Sequence, residues 1–410
     1  MQYRVMRKSG DRLSILGYGC MRLPEKKGGI DDERAMKQLR YAIDHGVNYV
    51  DTAMPYHSGA SEPFLGRALA DGYREKVKLA TKLPHWFVGS MGDMDRLLGL
   101  QLSNMKTDHI DYYLVHNMNG SSWRKLKALG FDDFVRKAKG DGRIVNIGFS
   151  AHTGKKDFKE IIDDYPWDFC QIQYSILDEK NQAGTEGLEY ASSKGLGVVI
   201  MEPLRGGSLA KTPPKEVQAI WDRAKVKRSP AEWALRWVWN HPEVTVVLSG
   251  MNDEKHIEEN LRIADEALPG SLSSQEIGIV SLATEIYRRS MKVGCTGCRY
   301  CMPCPSGVDI PGCFEAYNNK YMGGGAVTNN PVIGYILLVG GTLGRREPGY
   351  ASQCKECNEC VKACPQHIPI PKRLKEVRNE LEGPGFTVRK GAVGCFLKFD
   401  RWRNMRKART

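Results

Sequence analysis

The chain has 410 residues, 41% apolar and 26% charged, enough to bury a large core and too apolar for a disordered chain. No run approaches the roughly 18–20 apolar residues of a membrane span, and the opening Met1 to Lys8 lacks the apolar core of a signal peptide, so no span and a cytoplasmic location are expected. The net charge of +12 is concentrated in the tail, where Arg389, Lys390, Lys398, Arg401, Arg403, Arg406, Lys407 and Arg409 face one Asp400; this reads as a solvated or docking face, and Phe396, Phe399 and Trp402 are too few for a nucleic-acid surface.

In chain order, Tyr3 to Ile15, turning at Ser9-Gly10-Asp11, predicts a hairpin that plugs the floor of whatever follows. Eight β-rich runs come next: Ile15 to Gly19, Val47 to Asp51, Val77 to Thr81, Ile110 to His116, Ile144 to Ser150, Phe169 to Tyr174, Gly197 to Glu202 and Val244 to Gly250. Amphipathic segments intervene, such as Asp31 to His45, stopped by Gly46, and one opened by Ser229 as N-cap with Pro230 behind it. Eight βα units predict a (β/α)8 TIM barrel over residues 1–282. Past about Ala283 the composition shifts to cysteine, proline and glycine, with Met322-Gly323-Gly324-Gly325 as a flexible joint. A small, mostly α domain is expected over 283–385, with a helix from Arg373 to Leu381, and a basic tail over 386–410.

Chemistry in such a barrel sits at the C-terminal ends of the strands. Asp51 closes the second strand, Tyr56 follows five residues on, Lys82 closes the third and His116 the fourth. Neighbouring strands lie about 4.8 Å apart, so these side chains can converge. Together they suit carbonyl reduction, in which hydride reaches carbon while a positioned acid protonates oxygen. A phenol serves at neutral pH if an ammonium such as Lys82, paired with Asp51, stabilises the phenolate, while His116 orients the oxygen or shares the proton. Singly, each residue reads as well as local structure: Asp51 a cap, Lys82 surface, Tyr56 loop packing, His116 a satisfied core histidine.

The segments Asp51-Thr52-Ala53-Met54-Pro55-Tyr56, Ala80-Thr81-Lys82 and Leu114-Val115-His116 resemble the catalytic tetrad segments of the aldo-keto reductase family. The resemblance implies Tyr56 as general acid/base supported by Lys82, Asp51 and His116, an NADP or NAD cofactor, and a small carbonyl or alcohol substrate. It further implies that Ser150 and Gln171 hold the nicotinamide carboxamide. Glu202, Pro203, Leu204, Ser249, Gly250, Met251 and Lys255 then fall where the family places its other nicotinamide and phosphate contacts, with Glu259 and Asn260 near the adenine end. Two departures stand out. Ala151-His152 replaces the asparagine usual after the serine, and Gly250, Met251 and His256 occupy positions where cations and a hydroxyl ordinarily meet the 2′-phosphate, with Lys255 as a possible compensation.

Of twelve cysteines, eight form two tight sets. Cys354-x2-Cys357-x2-Cys360-x3-Cys364-Pro365 matches the bacterial ferredoxin spacing, in which the fourth cysteine of a run serves the other cluster. Cys295-x2-Cys298-x2-Cys301-x2-Cys304-Pro305 is one residue shorter before its last member. Structural zinc favours separated cysteine pairs over such triplets, so 4Fe–4S clusters are expected, two or at least one. The preferred pairing is crossed: Cys295, Cys298, Cys301 and Cys364 for one cluster, and Cys354, Cys357, Cys360 and Cys304 for the other, with Cys313 a possible substitute for Cys304. Met302-Pro303-Cys304-Pro305 and Gln366-His367-Ile368-Pro369 resemble the iron–sulfur branch of the same family, implying a ferredoxin-like module.

A nicotinamide moves two electrons as hydride and a cluster one, so the clusters are expected to link the barrel to a redox protein partner, to regulate it, or to fold the second domain. The alternatives are an electron-transfer protein whose barrel binds nicotinamide or a partner without carbonyl chemistry, and a sensing protein with labile clusters. Trp86, Met118, Trp123 and Tyr174 are candidates to line a substrate pocket.

Overall fold

The computed structural model describes residues 1–26, 28–322, 330–341 and 347–395. The joint at Gly323–Gly325 and the basic tail beyond Cys395 lie outside these residues. The chain divides into two compact units, one of Met1–Pro203 with Glu232–Ile277, the other of Leu204–Ala231 with the residues from Gly278 onward. The stretch Leu204–Ala231, which the sequence reading places in the barrel, thus packs within the second unit.

The first unit is a closed barrel of eight parallel strands in sequence order: β1 (Leu16–Gly19), β2 (Tyr49–Asp51), β3 (Lys78–Leu83), β4 (Ile110–Val115), β5 (Ile144–Ala151), β6 (Phe169–Gln173), β7 (Gly197–Met201) and β8 (Val244–Ser249). The helix after β1, Asp32–Asp44, starts at the Asp31 N-cap and is followed by Gly46 in the left-handed region at φ 96°. Because strand side chains alternate, one parity of each strand fills the barrel. Tyr49, Ala80, Tyr112, Leu114, Phe169, Val199, Val246 and Leu248 form that inner core. Two residues further along the same parity stand Asp51, Lys82, His116 and Gln171. The barrel is therefore apolar at its centre and polar at the C-terminal strand ends.

The N-terminal hairpin, Tyr3–Val5 paired antiparallel with Arg12–Ser14, supplies buried Met6 and Leu13 to this core. Its cations bond backbone carbonyls of the barrel: Arg4 donates to His241 O at 2.9 Å and Arg7 to Ser192 O at 2.9 Å.

The second unit is mostly helical, with Ile310–Met322, Pro331–Val339, Glu359–Lys362 and Ile370–Leu381. Val308, Phe314, Tyr335, Val339, Leu374 and Val377 belong to its core, and Cys295, Cys301, Cys304, Cys354 and Cys360 pack against it. Among the described residues no helix is long and apolar enough to cross a membrane.

Close strand packing leaves β5 no room for a side chain at Gly148, where a Cβ would lie 2.6 Å from both the Phe169 ring and the Phe169 carbonyl oxygen. Gly148→Ala should lower barrel stability by about 1–3 kcal/mol through overpacking, read as a lower thermal midpoint; an unchanged midpoint would show that β5 and β6 can separate freely.

Candidate functional site

At the barrel mouth the Lys82 ammonium, 1% exposed, donates to Asp51 Oδ1 at 2.7 Å, to Asp51 Oδ2 at 2.8 Å and to the Thr52 carbonyl at 2.7 Å. These three bonds use all the donors an ammonium has. Its nitrogen lies 5.1 Å from the Tyr56 ring centroid, and the Tyr56 and His116 rings stand edge-to-face at 6.1 Å. The structure thus brings together the four residues singled out from the strand ends.

Their electrostatics differ in one respect from the sequence expectation. Burial pushes the partly buried Tyr56 phenol well above its usual range, with Asp51, Glu202 and Cys20 adding to the shift and Arg22 opposing it. Lys82 is already neutralised by a bidentate carboxylate, so it does not make Tyr56 a phenolate here. Burial also drives His116 well below the usual histidine range, helped by Lys82, His152 and His85. At neutral pH the site presents a protonated phenol beside a neutral imidazole.

The turn carrying Tyr56 is held in an unusual backbone. His57 and Ser58 both adopt left-handed conformations, at φ 51° and 55°, a cost on the order of 1–3 kcal/mol each. Anchoring offsets it: His57 Nε2 accepts from the Leu23 N–H at 3.1 Å. Behind Lys82 lies a buried network in which Glu62 Oε1 accepts from Thr81 Oγ1 and from Gln101 Nε2, each at 2.7 Å, and Gln101 also donates to the Lys82 carbonyl at 3.0 Å. The sequence reading missed Glu62 and Gln101, because a polar residue on a helix carries no mark of which neighbour it will face.

Ser150 and Gln171 are register partners on β5 and β6. Ser150 Oγ accepts from the Asn117 N–H at 2.9 Å, and Gln171 Nε2 donates to Met201 Sδ at 3.7 Å. Gln171 Oε1 is buried with no hydrogen-bond partner among the described residues, a free acceptor of the kind a carboxamide N–H satisfies. Ser249 Oγ accepts from Asn260 Nδ2 at 2.9 Å, and Asn260 also approaches Met251 Sδ at 3.6 Å, so these three residues tie the helix Glu254–Glu266 to the end of β8. Lys255 is exposed in the first turn of that helix. A Cβ on Gly250 would sit 3.2 Å from Arg22 Cβ, so Arg22, another residue the sequence reading missed, brings a guanidinium to this end of the mouth. Glu202, just beyond β7, is among the charges that raise the Tyr56 pKa.

Of the proposed pocket residues, Trp86 is 41% exposed with its ring 5.2 Å from that of His116. Met118, Trp123 and Tyr174 are buried; Trp123 packs on Phe131 and Trp167, and Tyr174 Oη bonds Thr185 Oγ1 at 2.8 Å.

In the second unit the two cysteine sets share one backbone pattern. Gly297 and Arg299 in the first, and Glu356 and Asn358 in the second, are left-handed at equivalent offsets, as are Gly307 and His367, each three residues past the last cysteine. The N–H two residues after the first cysteine bonds its sulfur in both, Gly297 to Cys295 and Glu356 to Cys354, each at 3.4 Å. Gly307 donates to the Cys304 carbonyl at 2.9 Å and His367 to the Cys364 carbonyl at 3.1 Å, so the shorter spacing leaves Cys304 in the same setting as Cys364.

A largely apolar cavity is lined by Cys295, Cys298, Cys301 and Cys364, with Ile310, Phe314 and Ile368 in its wall. Burial pushes the Cys301 thiol up to about 12, with Cys295 and Cys364 first among the thiols adding to it. Burial pushes Cys360 up to about 11, and Cys354, Cys304 and Cys357 add. Cys313 is buried, its sulfur 3.5 Å from the Gly349 carbonyl oxygen.

Buried His152 bonds Gln182 Oε1 at 3.1 Å, and burial lowers its pKa to about 4. Between that value and the ordinary 6.5 the unfolded chain binds a proton that the folded chain refuses, so stability falls as pH drops through this window, by about 2 kcal/mol at pH 5. His152→Gln should therefore lose less thermal midpoint between pH 7 and pH 5 than the parent; equal losses would contradict this account.

Comparison with known proteins fits this geometry. The aldo/keto reductase family matches residues 15–274, and a 4Fe–4S dicluster domain matches residues 294–369. The uncharacterized oxidoreductase YrpG of Bacillus subtilis is 27% identical over 319 residues, covering 65% of this chain and 92% of its own. The methylglyoxal reductase YeaE of Escherichia coli is 26% identical, covering 69% and 95%. Among solved structures, an aldo-keto reductase of Bacillus halodurans in its holo form has a TM-score of 0.58 at 26% identity over 69% of this chain and 96% of that one. An aldo/keto reductase of Klebsiella pneumoniae in complex with NADP and acetate has a TM-score of 0.56 at 22% identity, over 68% and 94%, a likeness of fold. With the barrel, its polar mouth and a match over more than half of its length, this chain belongs to the aldo/keto reductase family, as an oxidoreductase with a C-terminal 4Fe–4S dicluster domain.

Proposed function

We propose that this chain reduces a small carbonyl compound, or oxidises the corresponding alcohol, with a nicotinamide cofactor, and that its clusters exchange single electrons with a redox protein partner. The observation that carries the first part is the closed Lys82–Asp51 pair beside a protonated Tyr56 and a neutral His116. Ser150 and Gln171 would hold the carboxamide, while Glu202, Pro203, Leu204, Ser249, Gly250 and Met251 would line the path toward the phosphates. Lys255, Glu259 and Asn260 would meet the adenosine end, with Arg22 as a further cation. When bound, the nicotinamide supplies hydride and the clusters supply one-electron steps.

Tyr56 gives its proton to the carbonyl oxygen, and His116, uncharged, orients that oxygen by a hydrogen bond. Lys82, pinned by Asp51, keeps its ammonium 5.1 Å from the Tyr56 ring centroid, so the paired cation stays in place as negative charge develops on the phenol oxygen. Trp86, its ring 5.2 Å from that of His116, would line the His116 side of the substrate. The kinship to a methylglyoxal reductase supports a small substrate.

The second part rests on the cysteine arrangement. The cavity joining Cys364 to Cys295, Cys298 and Cys301 supports crossed ligation, with Cys354, Cys357, Cys360 and Cys304 for the other cluster. Of the eight cysteines only Cys357 is exposed, so the cluster held by Cys354, Cys357, Cys360 and Cys304 is the one a partner would approach.

Tyr56→Phe should lower kcat for carbonyl reduction by about 10²–10⁴ while leaving the nucleotide Kd within twofold; turnover at the parental rate would eliminate Tyr56 as the acid. In anaerobically purified protein, Cys298→Ser with Cys364→Ser should retain half the iron, and Cys357→Ser with Cys364→Ser should lose nearly all of it. The reverse pattern would establish uncrossed ligation.

A further inference from the structure

The turn that carries Tyr56 has a backbone few side chains tolerate. His57, Ser58 and Gly59 are left-handed in succession, at φ 51°, 55° and 93°, and only the glycine adopts that conformation without cost. Such a run persists where its surroundings over-determine it. The two feet of the turn are tied. The Thr52 carbonyl accepts from Lys82 at 2.7 Å, and Thr52 Oγ1 meets Ser61 Oγ at 2.8 Å, with Ser61 Oγ donating on to the Cys20 carbonyl at 3.4 Å. Its tip is tied by His57, whose Nε2 accepts from the Leu23 N–H at 3.1 Å. One residue beyond Tyr56, the turn after β2 is thus fastened to the turn after β1.

That bond selects a tautomer. An Nε2 that accepts leaves the proton of a neutral imidazole on Nδ1, which lies 3.5 Å from Glu25 Oε1. The His57 side chain is 8% exposed; burial disfavours its charged form and lowers its pKa, while the Glu25 carboxylate pulls the other way. Of the other ionisable groups in the turn after β1, Cys20 and Arg22 act on Tyr56. The helix Ser61–Ala68, which packs on the Tyr56 turn, brings Glu62 and Arg67, and these are engaged with Thr81 at 2.7 Å and with Asp32 at 2.6 Å. A protonated imidazole has two donors and no acceptor. Its Nε2–H would face the Leu23 N–H, and the tie at the tip would be lost.

We propose that His57 is a positioning residue that works as a proton-sensitive latch: neutral, it holds the Tyr56 turn to the turn after β1, and on taking up a proton at Nε2 it releases that turn and shifts Tyr56 while the barrel stays folded. The direction follows from the hydrogen bond. The latched form is the neutral one, so the latch is closed above the His57 pKa and opens as pH falls through it, below the ordinary histidine value of about 6.5. Because Glu25 favours the imidazolium, removing its charge moves the opening to lower pH. The latch is a property of the turn itself; its effect on turnover rests on the reading of Tyr56 as the acid.

The test uses the full-length protein, purified anaerobically with its clusters oxidised and labelled with 15N in histidine rings and 13C at tyrosine Cζ. Magnetic resonance is followed from about pH 8 to about pH 5, the range in which a histidine changes charge. His57→Gln and Tyr56→Phe assign the two signals. We expect His57 to be the Nδ1–H tautomer at the upper end, and the Tyr56 signal to move with the His57 midpoint while circular dichroism holds constant. In His57→Gln, whose Oε1 can accept from Leu23 without titrating, the Tyr56 signal should stay still. In Glu25→Gln both midpoints should fall together by at least about 0.3 pH unit, a twofold change in proton affinity; this variant decides the matter if His57→Gln does not fold. An Nε2–H tautomer, a Tyr56 signal that ignores the His57 midpoint or still moves in His57→Gln, or circular dichroism lost at that midpoint overturns the latch. Parental turnover in Tyr56→Phe would overturn the acid reading and leave the latch standing.

Discussion

A lysine ammonium withdrawn from water is stable only if oxygen atoms replace its hydration, and the mouth of this barrel is arranged around that requirement. Lys82 receives both Asp51 oxygens and the Thr52 carbonyl, which fixes the end of β2 against the end of β3. The buried Glu62–Thr81–Gln101 network then holds β3 from behind. Burial, with Asp51 acting on Tyr56 and Lys82 on His116, keeps the phenol protonated and the imidazole neutral. A second charged group, Glu202, and a second cation, Arg22, act on the same phenol from β7 and from the turn after β1, so its affinity for a proton is set by the whole rim.

The second unit answers a different constraint, which is to bring thiols from distant parts of the chain to common points. It does so by repeating one device. Each cysteine loop doubles back through left-handed residues, turns a backbone N–H onto its first sulfur, and feeds a helix six residues after its last cysteine: Ile310–Met322 after Cys304 and Ile370–Leu381 after Cys364. Crowded thiols raise one another's pKa, because each thiolate disfavours the next. Iron would remove that repulsion, so binding of clusters and order in this unit are expected to go together.

The barrel was legible because its signals are local. Eight apolar runs of strand length, with Gly46 and Pro230 punctuating the helices, locate the strands to within a few residues, since periodicity and turn chemistry operate over a handful of positions. Asp51, Lys82 and His116 were legible for a related reason: strand parity in a parallel barrel carries the inner face from apolar to polar at the C-terminal end. Cys354 to Cys364 was legible from spacing alone. Arg22, His57, Glu62 and Gln101 were not, because their partners lie 12 or more residues away and nothing in the local pattern names them. The assignment of Leu204–Ala231 to the cluster-bearing unit was equally silent, as its composition continues that of the barrel.

By itself, then, the sequence determined the strand count, the inward parity of the polar strand ends and the duplicated cysteine spacing, all properties of short windows in which backbone geometry repeats. Only the tertiary structure decided the state of the groups it placed. Whether Tyr56 holds its proton depends on burial and on four charged or ionisable groups from three separate parts of the chain. Whether Cys304 matches Cys364 depends on backbone angles rather than on residue counts. Which unit the chain beyond β7 joins depends on contacts far along the sequence, such as the Arg205 bond to the Gly294 carbonyl 89 residues away. Solvation and electrostatics sum over neighbours in space, and only the folded chain defines those neighbours.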